Sequence, residues 1–135
     1  MGMWNILYLM QRGELPAAEK PQLFATYFAG LFRSMRFGIL EAHGQGNALQ
    51  YGYLLAKGAF RFDEDDGHYV IDAAKMESAL RDLLFEQLML QARGDYEGTK
   101  VFFLTWAKLD EHAEAAIAKM DAIPVDILPR YPERI

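Results

Sequence analysis

Apolar residues recur at spacings of three and four through most of this chain and alternate with polar ones at only one place. Met3 to Gln11 reads as a first helix closed by Arg12-Gly13, with glycine suited to the left-handed position after a helix. Glu14-Leu15-Pro16 then turns the chain. Leu23, Phe24, Tyr27, Phe28, Leu31, Phe32 and Met35 mark a second, core-facing helix that begins near Pro21. Ala59-Phe60-Arg61-Phe62 and His68-Tyr69-Val70-Ile71 flank Asp63 to Gly67 and predict a short β-hairpin lying on the helical body, with Asp66-Gly67 in its turn. Asp72 caps a long amphipathic helix that carries Met76, Leu80, Leu83, Leu84 and Leu88 to Arg93-Gly94. Asp95 caps Tyr96 to Leu109, and an alanine-rich helix runs from about Asp110 to Met120. The tail, Ile123 to Ile135, holds three prolines, which forbid regular helix, and is expected to wrap the body in extended form. The fold class is mainly α: a compact domain of about six helices with one short β-hairpin, a single unit over residues 1–135.

Between the second helix and the hairpin, Arg36 to Lys57 reads as a third helix. Arg36, His43, Asn47 and Gln50 share one polar stripe on it, beside an apolar stripe of Phe37, Leu40, Ala48, Tyr51 and Leu55. Four glycines, Gly38, Gly44, Gly46 and Gly52, interrupt this segment. Each costs roughly 0.8–1 kcal/mol against alanine inside a helix, so the missing side chains answer a need for close approach. A neighbouring helix packed on Gly44 is one such need. A cleft wall, with Gly46 leaving room for a substrate main chain, is another.

With 52% apolar and 24% charged residues, the 135-residue chain can bury a core of its own. A net charge of -5 with scattered Lys and Arg gives no reason to expect nucleic acid, and no apolar run is long enough to cross a membrane. The apolar start lacks the basic leader and cleavage site of a secretion signal. Zero cysteines excludes disulfides, thiolate metal sites and a cysteine nucleophile, and leaves cytoplasm as a default compartment only.

Self-contained catalysis has little support in the residues. His43, His68 and His112 lie too far apart for a local metal pair, and the acidic run Asp63 to Asp66 lacks the ligand alternation of a calcium loop. No nucleophile elbow, phosphate-binding loop or Nudix-type pattern occurs. His43 is the polar residue that draws a functional reading, since Asn47 lies one turn on and Gln50 nearly two. Such a row could hold a polar extended ligand, while the histidine hydrogen-bonds a carbonyl.

At these residues, Glu41-Ala-His-Gly-Gln-Gly-Asn-Ala-Leu-Gln50 followed by Tyr53-Leu-Leu-Ala-Lys-Gly58, the chain resembles the C-terminal region of the dipeptidyl peptidase III family of zinc metallopeptidases, metallopeptidase family forty-nine. The helix ending Gln91-Ala-Arg-Gly-Asp-Tyr-Glu-Gly98 and the stretch Val101 to Lys108 fall in the order of bacterial-type relatives. The resemblance implies a helical catalytic lobe whose zinc is held by a His-Glu-x-x-Gly-His motif and a second acidic motif, neither of which occurs here. The chain then corresponds to a fragment. No cofactor is expected in it, and zinc is expected in the full-length parent. Family resemblance makes His43 the residue that stabilises the transition state, with Arg36, Asn47 and Gln50 as candidate substrate contacts. Many family members carry arginine where Asn47 stands, so this is a divergent relative. The expected partners are a peptide-like substrate in the parent, the parent's N-terminal remainder, and a further copy through exposed apolar surface. The competing reading is a non-catalytic helical interaction module that docks a partner through Met3 to Met10.

Overall fold

A computed structural model describes residues 2–125. Six α-helices and one hairpin follow in the order α1 (Gly2–Gln11), α2 (Lys20–Met35), α3 (Ala42–Ala56), β1 (Phe60–Asp63), β2 (His68–Ile71), α4 (Ala73–Arg93), α5 (Tyr96–Trp106) and α6 (Glu111–Lys119). Short 3₁₀ turns at Ala17–Glu19 and Met120–Ala122 flank them. The expected extended course of the tail falls, beyond Val125, outside the described residues.

Local chemistry sets most boundaries. The carboxylates of Asp72, Asp95 and Asp110 accept backbone N–H groups of Lys75, Gly98 and Ala113 at 3.0, 2.8 and 2.8 Å, satisfying donors that open α4, α5 and α6. Gly94 takes φ 61° behind Arg93 and ends α4. In the hairpin Phe60 pairs with Ile71 and Asp63 with His68, and Gly67 adopts φ 68° in the turn.

The third helix does not begin where the periodicity places it. Gly38 adopts φ 102°, which no helix contains, so Arg36 caps α2 and α3 starts six residues later at Ala42. Phe37 and Leu40 consequently leave the apolar stripe and stand exposed in the connecting loop. The fifth helix also stops early, at Trp106, because Ala107 turns to ψ 65°.

α3 is the axis of the molecule. It packs against α2, α4, α5 and β1, and it buries Ala48, Leu49, Tyr51, Tyr53 and Leu54 completely. Two of its glycines permit contacts no larger residue could make. A Cβ at Gly44 would collide with the carbonyl oxygen of Gly38, and one at Gly52 with that of Trp106. The partner of Gly44 is thus the end of α2 and its loop, not the flank of another helix. The hairpin docks by aromatic contact: the Phe28 ring lies 4.4 Å from Phe60 and 5.0 Å from Tyr69, and Phe62 stacks on His112 at 4.1 Å. The face of α1 offered as a docking surface is covered. Leu7 and Met10 are buried, and Met3, Trp4 and Ile6 pack on the core.

Four phenols in this core are held neutral. Burial raises the Tyr27, Tyr51, Tyr53 and Tyr69 pKa values, reinforced by the bonds Tyr51 donates to Asp110 and Tyr53 donates to Glu86. A folded-state pKa above the unfolded value of about 10 means stability that is complete below that pH and is lost as pH rises above it. Urea melts should therefore show constant stability from pH 8 to about 10 and a steep fall beyond. In alkaline absorbance titrations these four of the seven tyrosines should ionise at higher pH than free phenols. Free titration of all of them in the folded protein would contradict this packing.

Candidate functional site

A polar stripe of α3 is less covered than the faces that bury Gly44, Ala48, Leu49, Tyr51, Tyr53 and Leu54. His43, Gly46, Asn47 and Gln50 occupy positions i, i+3, i+4 and i+7, the spacing of one helix face. His43 lies exposed in the first turn, while Gly46, Asn47 and Gln50 are half-buried. Glu41 occupies the N-cap without a side-chain hydrogen bond to the turn, so the positive end of the helix dipole opens beside His43. A Cβ added at Gly46 would meet nothing within 4 Å, in contrast to Gly44 two residues earlier.

The amides of the stripe are oriented by the protein. Tyr27 of α2 donates its hydroxyl to Gln50 Oε1 at 2.7 Å, which turns Gln50 Nε2 toward Asn47 Oδ1 at 3.0 Å and the Gly46 carbonyl at 3.1 Å. The Asn47 carbonyl is thereby used internally, and its NH₂ remains as a donor for a ligand. Beyond Gln50 the stripe runs to a cavity of about 170 Å³ whose walls include Trp4, Tyr27, Leu83 and Gln87. Tyr27 reads in the sequence as core alone. Its role as the clamp on Gln50 depends on the crossing of α2 over α3, which no local signal carries.

Arg36 is not on this stripe. From the end of α2 its guanidinium donates to the carbonyl oxygens of Met120 and Ile123 at 2.8 and 2.9 Å, tying the loop before α3 to the chain after α6. The structure thus brings together His43, Asn47 and Gln50 and leaves Arg36 with main-chain partners.

The remaining histidines are engaged in the hairpin. His112 stacks on Phe62 and places Nε2 3.0 Å from a Glu64 carboxylate oxygen, and His68 Nδ1 lies 3.4 Å from the Asp66 carbonyl. Among the described residues no group of three or more His, Cys, Asp or Glu side chains could hold a metal ion. The zinc implied by the family resemblance has no ligand set in them.

Among the described residues no helix is long and apolar enough to cross a membrane. The large exposed apolar side chains include Phe85 and Leu88 on α4 and Val101 and Leu104 on α5, neighbouring helices.

No protein-family model matches the chain. Nudix hydrolase 3 of Arabidopsis thaliana is 36% identical over 134 residues, which is 98% of this chain and 17% of that protein. The activity in that name belongs to that protein, and the Nudix pattern is absent from the present sequence. Two solved structures share the fold. Dipeptidyl peptidase III from Caldithrix abyssi superposes with a TM-score of 0.90 at 39% identity, over 97% of this chain and 25% of its own. Dipeptidyl-peptidase III from Corallococcus sp. strain EGB gives 0.86 at 32% identity, over 96% and 24%. The chain spans about a quarter or less of the length of these relatives. In sequence and in fold the chain is similar to one part of those longer dipeptidyl peptidase III proteins.

Proposed function

We propose that this chain is the C-terminal part of a zinc peptidase-like hydrolase and supplies one wall of its substrate cleft, being inactive alone. The observation that carries the reading is the polar stripe His43-Gly46-Asn47-Gln50, half-buried to exposed on a helix that otherwise buries Ala48, Leu49, Tyr51, Tyr53 and Leu54, within a fold shared with two dipeptidyl peptidase III structures. His43 donates to the substrate carbonyl as negative charge develops on its oxygen, next to the uncapped end of α3. Asn47 offers its NH₂ to the substrate main chain, and Gly46 leaves that main chain room to approach. Gln50, fixed by Tyr27, sets the far end of the row. Arg36 holds the loop ahead of His43 in place of touching substrate. A zinc ion would be held by residues other than those described and would there supply Lewis-acid activation of a water, and the exposed α4–α5 face is where the rest of such a body would seat.

A chimera tests this. The 135-residue chain replaces the matching quarter of the Caldithrix abyssi protein, and dipeptide release from short peptides is measured beside the isolated chain. Hydrolysis by the chimera and none by the isolated chain is expected. A folded, zinc-loaded chimera without peptidase activity would overturn the reading.

A further inference from the structure

Four helices bound the cavity beyond Gln50. Its walls include Trp4 of α1, Tyr27 of α2, Gln50 of α3 and one face of α4, where Leu80, Leu83 and Gln87 stand at positions i, i+3 and i+7. Both leucines are buried, and the next place on that apolar face is filled by a half-buried amide. A glutamine at such a position needs a polar partner or water.

Most polar atoms around the cavity are already committed. Tyr27 gives its hydroxyl proton to Gln50, whose two amide N–H groups go to Asn47 and the Gly46 carbonyl. Gln87 makes no side-chain hydrogen bond among the described residues, so its amide is the polar group left to a guest. Among the same residues neither the Trp4 nor the Tyr27 ring pairs with another aromatic ring, although both face the cavity. No charged side chain of the described residues lines it, so an ion entering would shed its water without a counter-charge.

Size narrows the guest further. The volume is about 170 Å³, and an apolar cavity of about 150 Å³ holds one benzene ring. Water filling the same space lacks two to four polar partners per molecule along the leucine wall, so a ring displaces it with a gain.

We infer that this cavity is a binding site for a small neutral aromatic molecule of the phenol class. The ring lies among Trp4, Tyr27 and the leucines of α4, and its hydroxyl donates to the Gln87 carbonyl oxygen. The site stands on the cavity's own lining and does not require the cleft reading.

The test titrates the 135-residue chain with phenol and with benzene, followed by ¹H–¹⁵N NMR. Phenol should bind about three- to tenfold more tightly than benzene, the share of one net hydrogen bond, and shift the Trp4 indole and the Gln50 and Gln87 side-chain amides. Gln87→Leu, which extends the apolar face of α4, should abolish that preference while benzene still binds. The comparison of phenol with benzene in the unaltered chain stands without this variant. Equal binding of the two rings, a phenol preference that survives Gln87→Leu, or shifts that bypass Trp4 and Gln87 would each overturn the site. So would no binding of either ring at millimolar concentration.

Discussion

Replacing Phe28 by alanine should destabilise the fold by about 3–5 kcal/mol, the cost of deleting a buried aromatic side chain and leaving its cavity. Phe28 is 5% exposed, and its ring lies within 4.4 to 6.2 Å of those of Phe32, Tyr51, Phe60 and Tyr69. These residues come from α2, α3 and both hairpin strands, so one ring fastens three parts of the molecule together. A domain of this size is stable by roughly 5–15 kcal/mol in total, so the loss is a large share. Relaxation of the cavity is restricted, because Tyr51 is also held by its hydroxyl bond to Asp110 at 2.8 Å. Urea melts of the variant should show the loss as a lowered midpoint, and amide exchange should quicken first in β1 and β2. A cost below about 1.5 kcal/mol would mean that the hairpin does not depend on this contact.

What the sequence makes legible follows from how locally each feature is encoded. The six helices, the hairpin and the aspartate caps of α4 and α5 rest on residues within a few positions of one another, and the structure reproduces them. The start of α3 is different. Phe37, Leu40 and Gly44 keep a helical period across the loop, yet Gly38 takes a positive φ that breaks it. Periodicity cannot tell an apolar stripe from an apolar loop of matching length. The stripe of His43, Asn47 and Gln50 is legible because it lies within one helix. Arg36 is misplaced because its partners, Met120 and Ile123, lie 84 and 87 residues away. The contact of Gly52 with Trp106 is hidden for the same reason, although an unexplained glycine in a helix already signals that some backbone comes close.

In the chimera that carries this chain, His43→Ala should raise the barrier for peptide hydrolysis by about 2–4 kcal/mol, roughly 30- to 1000-fold in rate. The magnitude is that of removing one donor aimed at a developing oxyanion. The fold should be undisturbed, because the ring is exposed in the first turn of α3 and belongs to no buried cluster. The effect should fall on kcat and on kcat/KM alike, since a donor that engages charge in the transition state contributes little to the ground-state complex. Asn47→Ala should behave differently and raise KM, because an amide that binds substrate main chain acts before the reaction as well as during it. This contrast separates the two positions although they sit one turn apart on the same face. Unaltered kcat in a folded His43→Ala chimera would reduce the imidazole to a surface group. The open stripe would then be a binding face without a chemical task.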